Sequence, residues 1–163
     1  MKGLITIKHT LSVLVENQAG VLSKVSGLFS RRGFNIDSLA VGVTDNPSIS
    51  RMTIVADGDD YIIEQLEKQL NKLIPVIRVR RLEPGKFLSC ELALIKVISN
   101  AQQRAEVMKI AELTGARIVN VSLQTLTLEI CDIPEKIDTL LNLLKPYGIK
   151  EVVQTGVVAI ETE

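Results

Sequence analysis

Between residues 11 and 36 the spacing of apolar side chains changes period once, which predicts a strand, a turn and a helix. Leu11, Val13 and Val15 alternate with Ser12, Leu14 and Glu16, the period of two expected of a strand. Asn17-Gln18-Ala19-Gly20 interrupts with turn formers. Val21, Leu22, Val25, Leu28 and Phe29 then fall on one stripe of an amphipathic helix. Gly33 is placed to end that helix, and Phe34-Asn35-Ile36 opens the next extended run.

The pattern continues with a strand over Leu39, Val41 and Val43, a turn at Thr44-Asp45-Asn46-Pro47 and a third strand over 50–56. Met52, Ile54 and Ala56 share one face of that strand, and Arg51, Thr53 and Val55 the other. The short connection predicts an antiparallel hairpin. Asp57-Gly58-Asp59-Asp60 supplies a turn and an acidic helix start. Ile62, Ile63, Leu66, Leu70 and Leu73 make the second helical stripe, ended by Pro75. In 76–82, Ile77 and Val79 alternate with Arg78 and Arg80.

The order β-α-β-β-α-β is that of a ferredoxin-like unit, with both helices on one face of a four-stranded sheet. Apolar residues on both faces of several strands predict association with another copy. Glu83-Pro84-Gly85-Lys86 reads as a linker, after which the order repeats. Strand 90–98 leads to helix 101–114 with Val107, Ile110 and Ala111 inward, then strands 117–121 and 123–130. Ile137, Leu140, Leu141 and Leu144 form the last helical stripe after Pro134, and 149–160 is a final strand broken by Gly156. The expected fold is α+β, two tandem ferredoxin-like units over 8–83 and 88–163. The second unit has Ser99-Asn100-Ala101-Gln102 where the first has its glycine turn, so the halves share a fold but not a role.

Composition narrows the function classes. The 163 residues carry 19 basic and 19 acidic side chains and 3% aromatics. That lacks the basic footprint and stacking platforms of a nucleic-acid binder, while near-zero net charge does little to keep chains apart. Arg32-Gly33-Phe34 resembles an RNA-binding signature, but it falls at a helix end, and the third strand has no aromatic. It reads instead as a helix stop with Phe34 packed inward. Cys90 and Cys131 lie in apolar runs and read as buried, reduced thiols. No run approaches the ~20 apolar residues of a membrane span. Residues 1–7 read as a short extension without signal or transit character.

Catalytic chemistry finds little material. His9 is the only histidine, and no nucleophile elbow, metal-ligand cluster, dinucleotide fingerprint or phosphate loop is present. Asp59-Asp60 reads as a helix cap. No catalytic and no metal residue is expected. The corner at residues 17–22 is the candidate binding site. Free amides at the helix start carry the positive end of its dipole, Gly20 permits close approach, and the Asn17 amide both donates and accepts. Such a corner suits a small carboxylate. The same residues also suit a plain strand-to-helix turn.

The stretches SVLVENQAGVLSKVSGLFSRRGFNIDSL, TDNPSISRMTIV and EQLEKQLNKLIPVIRV resemble an ACT domain, the ferredoxin-like module that binds small ligands in metabolic enzymes. With ELALIKV and TGVVAI in the second half, the chain from Lys8 onward resembles the small regulatory subunit of acetohydroxyacid (acetolactate) synthase. It departs from the family at Gln154, where Arg is common, and at Ser89-Cys90, where Glu-Arg is usual.

The resemblance implies a non-catalytic subunit that activates a separate large subunit and makes it sensitive to valine, leucine or isoleucine, within branched-chain amino acid biosynthesis. Thiamine diphosphate, Mg²⁺ and FAD would belong to the large subunit, and no cofactor to this chain. The implied effector site joins Asn17 and the Gly20, Val21 and Leu22 backbone to Asn35 and Ile36 of a second protomer in an ACT homodimer. It also implies a cytoplasmic or plastid-stroma location, with neither nucleic acid nor membrane as partner. The other reading is a stand-alone amino-acid sensor acting on a different enzyme, separated from the first by binding to a thiamine-diphosphate synthase subunit.

Overall fold

The first six elements of the computed structural model, which describes residues 7–163, are two β-α-β triplets in sequence. They are β1 (Lys8–Glu16), α1 (Val21–Arg31), β2 (Ile36–Val43), β3 (Ile49–Asp57), α2 (Asp60–Leu70) and β4 (Val76–Leu82). The sheet runs β2-β3-β1-β4, with every neighbouring pair antiparallel. Apart from Ile7, the extension expected at residues 1–7 lies outside the described residues.

The alternation in β1 has its intended effect: Leu11, Val13 and Val15 are buried with Met52, Ile54 and Ala56 of β3. Val25, Leu28 and Phe29 of α1 and Ile63, Leu66 and Leu70 of α2 close that core. Two stripe positions differ from expectation. Leu22 stands 47% exposed, because the inward face of α1 is centred on Val21, Val25, Leu28 and Phe29. Ile77 is 51% exposed, because a register shift between Leu14 and Val15 turns Val76 and Val79 toward the core in its place.

Asp59 caps α2 as read from the sequence: its Oδ1 accepts the Ile62 N–H at 2.8 Å. Asp59→Ala is expected to cost about 1 kcal/mol, seen as an earlier midpoint in urea unfolding. An unchanged midpoint would mean water serves that amide equally well. Gly33 (φ +69°) follows the end of α1, and Phe34 meets Phe29 edge to face at 6.5 Å. The Arg-Gly-Phe run is therefore a helix stop. His9, 6% exposed, is held by its Nε2 at 3.0 Å from the Gly58 carbonyl.

The second unit repeats the plan with β5 (Phe87–Ile98), α3 (Arg104–Thr114), β6 (Arg117–Val121), β7 (Thr125–Asp132), α4 (Pro134–Leu144) and β8 (Ile149–Gln154). Its strands run β6-β7-β5-β8. Ile95, Val97, Val107, Leu126, Leu128, Ile137 and Leu140 form its core. Helix α3 starts three residues later than read, because residues 101–103 form a turn. The cysteines differ from their expected burial: Cys90 is half-buried and Cys131 exposed. Both thiols are free; partial desolvation and the neighbouring Cys90 raise the Cys131 thiol above its ordinary value.

The expected final strand is two strands. Gly156, at φ +83°, ends the run after β8, and β9 (Val158–Glu161) follows in a new direction and pairs with β5. Packing groups Val157–Glu163 with the described residues up to Leu88, and Ser89–Gly156 as the other unit. The last seven residues, read as part of 88–163, pack with the first unit while β9 pairs with β5. The Val157 N–H donates to Ser38 Oγ at 2.8 Å, Glu161 pairs with Arg80 at 2.5 Å and the Thr162 N–H donates to the Lys86 carbonyl at 2.8 Å. Ser38 lies opposite Val55 and Arg80 opposite Ser12, so both point away from the helices. The tail therefore straps the helix-free face of the first sheet, where Val55, Leu82 and Val157 are buried.

Candidate functional site

The corner between β1 and α1 is pinned on two sides. The Glu16 N–H donates to the Pro75 carbonyl and the Asn17 N–H to the Ser48 carbonyl, each at 2.8 Å. The Asn17 side chain donates from Nδ2 to the Pro47 carbonyl at 2.9 Å. That bond fixes the side chain and leaves Oδ1 without a partner among the described residues. The β2–β3 turn is in turn held by Asn46 and Thr44, whose side chains bond to Ser48 and to the Ile49 carbonyl.

Gly20 has φ +82°, a left-handed conformation that only glycine adopts at little cost. A Cβ built there would meet nothing within 4 Å, so the space in front of the backbone is open. No side chain caps α1. Lys24 is bonded back to Gly20, but the amides of Gly20, Leu22 and Ser23 have no partner among the described residues. Three unpaired donors at the positive end of a helix can donate hydrogen bonds to partners such as the oxygens of one carboxylate. In the same turn Asn17 Oδ1 is an open hydrogen-bond acceptor, and exposed Leu22 is an apolar surface. Val21 is 4% exposed and contributes backbone only.

Asn35 and Ile36 are not part of this corner. They follow the far end of α1, whose 11 residues span about 16 Å at 1.5 Å each. Asn35 is exposed and bonded to Asp37 at 3.3 Å, while Ile36 packs half-buried against its own core. Within one chain the six sequence-derived residues therefore divide into a group of four and a group of two. Both members of the smaller group adjoin β2, an edge strand with exposed Val41 and Val43.

The equivalent turn of the second unit is closed by its own side chains. Asn100 Oδ1 accepts the Gln102 and Gln103 N–H groups at 3.0 and 2.9 Å. The Arg104 guanidinium donates to the Ser122 and Leu123 carbonyls at 2.6 and 3.1 Å. Asn100 was visible in the sequence, but its bonds to the two amides of the turn ahead of α3 were missed, although Asn is a common turn former through such bonds. Among the described residues no group of three or more His, Cys, Asp or Glu is placed to hold a metal ion. Among the same residues no helix is long and apolar enough to cross a membrane.

A ferredoxin-like unit with an open glycine corner at its first strand-to-helix turn is the architecture of an ACT domain. Residues 11–78 match the family described as AHAS small subunit-like ACT domain, and 90–163 match small subunit of acetolactate synthase. The acetolactate synthase small subunit of Mycolicibacterium smegmatis is 52% identical over 95% of this chain and 91% of its own. The probable acetolactate synthase small subunit of Methanothermobacter thermautotrophicus is 48% identical over 93% and 91%. The crystal structure of the acetolactate synthase small subunit from Thermotoga maritima is 38% identical, with a TM-score of 0.90 over 96% of this chain and 98% of that one. The chain belongs to the acetolactate synthase small-subunit family, as a regulatory subunit with an ACT domain.

Proposed function

We propose that this chain activates a separate catalytic subunit of acetolactate synthase and makes it subject to feedback by valine or another branched-chain amino acid. The observation that carries this reading is the contrast between the two turns: one is open and short of acceptors, the other is filled by its own Asn and Arg. The effector carboxylate docks on the amides after Gly20, its ammonium on Asn17 Oδ1 and its branched side chain against Leu22. Asn35 and Ile36 of a second copy complete the site in a homodimer joined along β2, which supplies the distance that one chain cannot span. Thiamine diphosphate, Mg²⁺ and FAD work on the catalytic subunit, in the cytoplasm, as a step of branched-chain amino acid biosynthesis.

Two measurements test this. The purified chain, given pyruvate with thiamine diphosphate, Mg²⁺ and FAD, is expected to form no acetolactate; turnover free of any large subunit would make it an enzyme in its own right. Valine at 100 times its dissociation constant is expected to add about 2.7 kcal/mol to the stability of the dimer. If millimolar valine, leucine and isoleucine all leave the melting temperature unmoved, the corner is not the effector site.

A further inference from the structure

The helix-free face of the first sheet carries a cluster of cations that the effector reading does not use. Strand β1 contributes Ser12 and Leu14, β3 contributes Arg51, and β4 contributes Arg78 and Arg80. Leu14 lies directly opposite both Arg51 and Arg78, and Ser12 opposite Arg80. Three guanidinium groups thus arrive from β3 and β4, the two strands that flank β1, with Leu14 between Arg51 and Arg78. They surround a cavity of about 50 Å³ lined by these five residues.

The internal partners do not balance the cluster. Glu161 of the C-terminal strap pairs with Arg80 at 2.5 Å, the one carboxylate to reach it among the described residues. Arg51 Nη1 donates to Ser12 Oγ at 2.6 Å, and Arg78 makes no hydrogen bond or ion pair among the described residues. Ser12 is 4% exposed, and its own O–H proton has no acceptor among the described residues. Two positive charges and one buried donor are left over around a small cavity, in a chain whose net charge is zero.

We propose that Arg51, Arg78, Arg80 and Ser12 bind one phosphate-sized oxyanion, and that Glu161 competes with it for Arg80. A dianionic oxyanion matches the surplus charge. It also offers several acceptors at once to guanidinium forks arriving from β3 and β4, and a further one to the Ser12 hydroxyl. The cavity of about 50 Å³ accommodates a group of this size, free phosphate or the phosphoryl end of a small metabolite. Occupation would loosen the Glu161–Arg80 pair and with it the end of the strap.

The test is a titration of the full chain with inorganic phosphate, and separately with phenyl phosphate, at constant ionic strength in chloride, read by calorimetry. Saturable binding of one equivalent is expected. Arg78→Gln, at an exposed strand position, should weaken it about tenfold or more with an unchanged circular dichroism spectrum. Glu161→Gln should tighten it several-fold by removing the competitor. Equal affinity for the two probes would mark a site for free phosphate; tighter binding of phenyl phosphate would mark a phosphorylated metabolite. No saturable binding of either probe to wild type and Glu161→Gln, or wild-type affinity in Arg78→Gln, would overturn the proposal.

Discussion

A Gly20→Asp subunit is expected to leave its catalytic partner active but deaf to valine. The new carboxylate would occupy the place the effector's carboxylate takes, drawing on the unpaired amides of Gly20, Leu22 and Ser23 and repelling the ligand. The fold should survive. A side chain at Gly20 meets no atom within 4 Å, and a left-handed residue other than glycine costs about 1–2 kcal/mol. Loss of a charge-assisted contact plus repulsion should weaken binding more than about a hundredfold, or ~2.7 kcal/mol. Gly20→Ala separates the two causes: it carries the backbone cost without the charge and should retain most of the response. Asn17→Ala should fall between, because it removes the ammonium acceptor and frees the Pro47 carbonyl. The measurement is acetolactate formation by the reconstituted enzyme across a valine titration. A Gly20→Asp enzyme inhibited at wild-type concentrations would place the effector elsewhere, and equal loss of activation and inhibition would assign the corner to the subunit contact.

Ending the chain at Gly156 should destabilise the first unit, and it also removes the β9 partner of β5. The strap it removes contributes the buried Val157 side chain, worth about 1.5–3 kcal/mol, and the hydrogen bond to Ser38, worth about 1 kcal/mol. The exposed Glu161–Arg80 pair adds less than ~1 kcal/mol. A loss of about 2–4 kcal/mol in denaturant unfolding is expected. An unchanged midpoint would show that the strap rests on the sheet without holding it. A fragment of residues 1–83 contains β1 to β4 with both helices and lacks only the strap; it should fold, but with Val55 and Leu82 newly open to water.

The first unit was legible because local and tertiary preferences agree in it. Alternation in β1 and β3, the Asp59 cap and the apolar spacing of α2 all point to the same layers. What escaped depended on long-range register. Leu22 fits the helical period as well as Val21 does, and only the angle at which α1 meets the sheet decides that one is buried and the other exposed. Ile77 fits the strand period, and only a bulge opposite Leu14 and Val15 excludes it from the core. Gly156 was visible as an interruption. That the segment after it pairs with β5 and lays its side chains against the first unit follows from partners about 80 and 120 residues away, Arg80 and Ser38, which no local pattern encodes. The site was half legible: Asn17 and Gly20 announce a turn by their types, but openness is a property of what surrounds a glycine.

Because a glycine precedes α1 and no side chain closes its first turn, the solvent exchange of its leading amide protons becomes a direct report on that corner. Without ligand the Leu22 and Ser23 protons should exchange almost as fast as in an unfolded chain, while those of Val25 and Leu28 are protected. Whatever settles there would slow those two protons and few others. An effector could thus be identified and ranked from this chain alone by amide exchange, before any partner subunit is in hand.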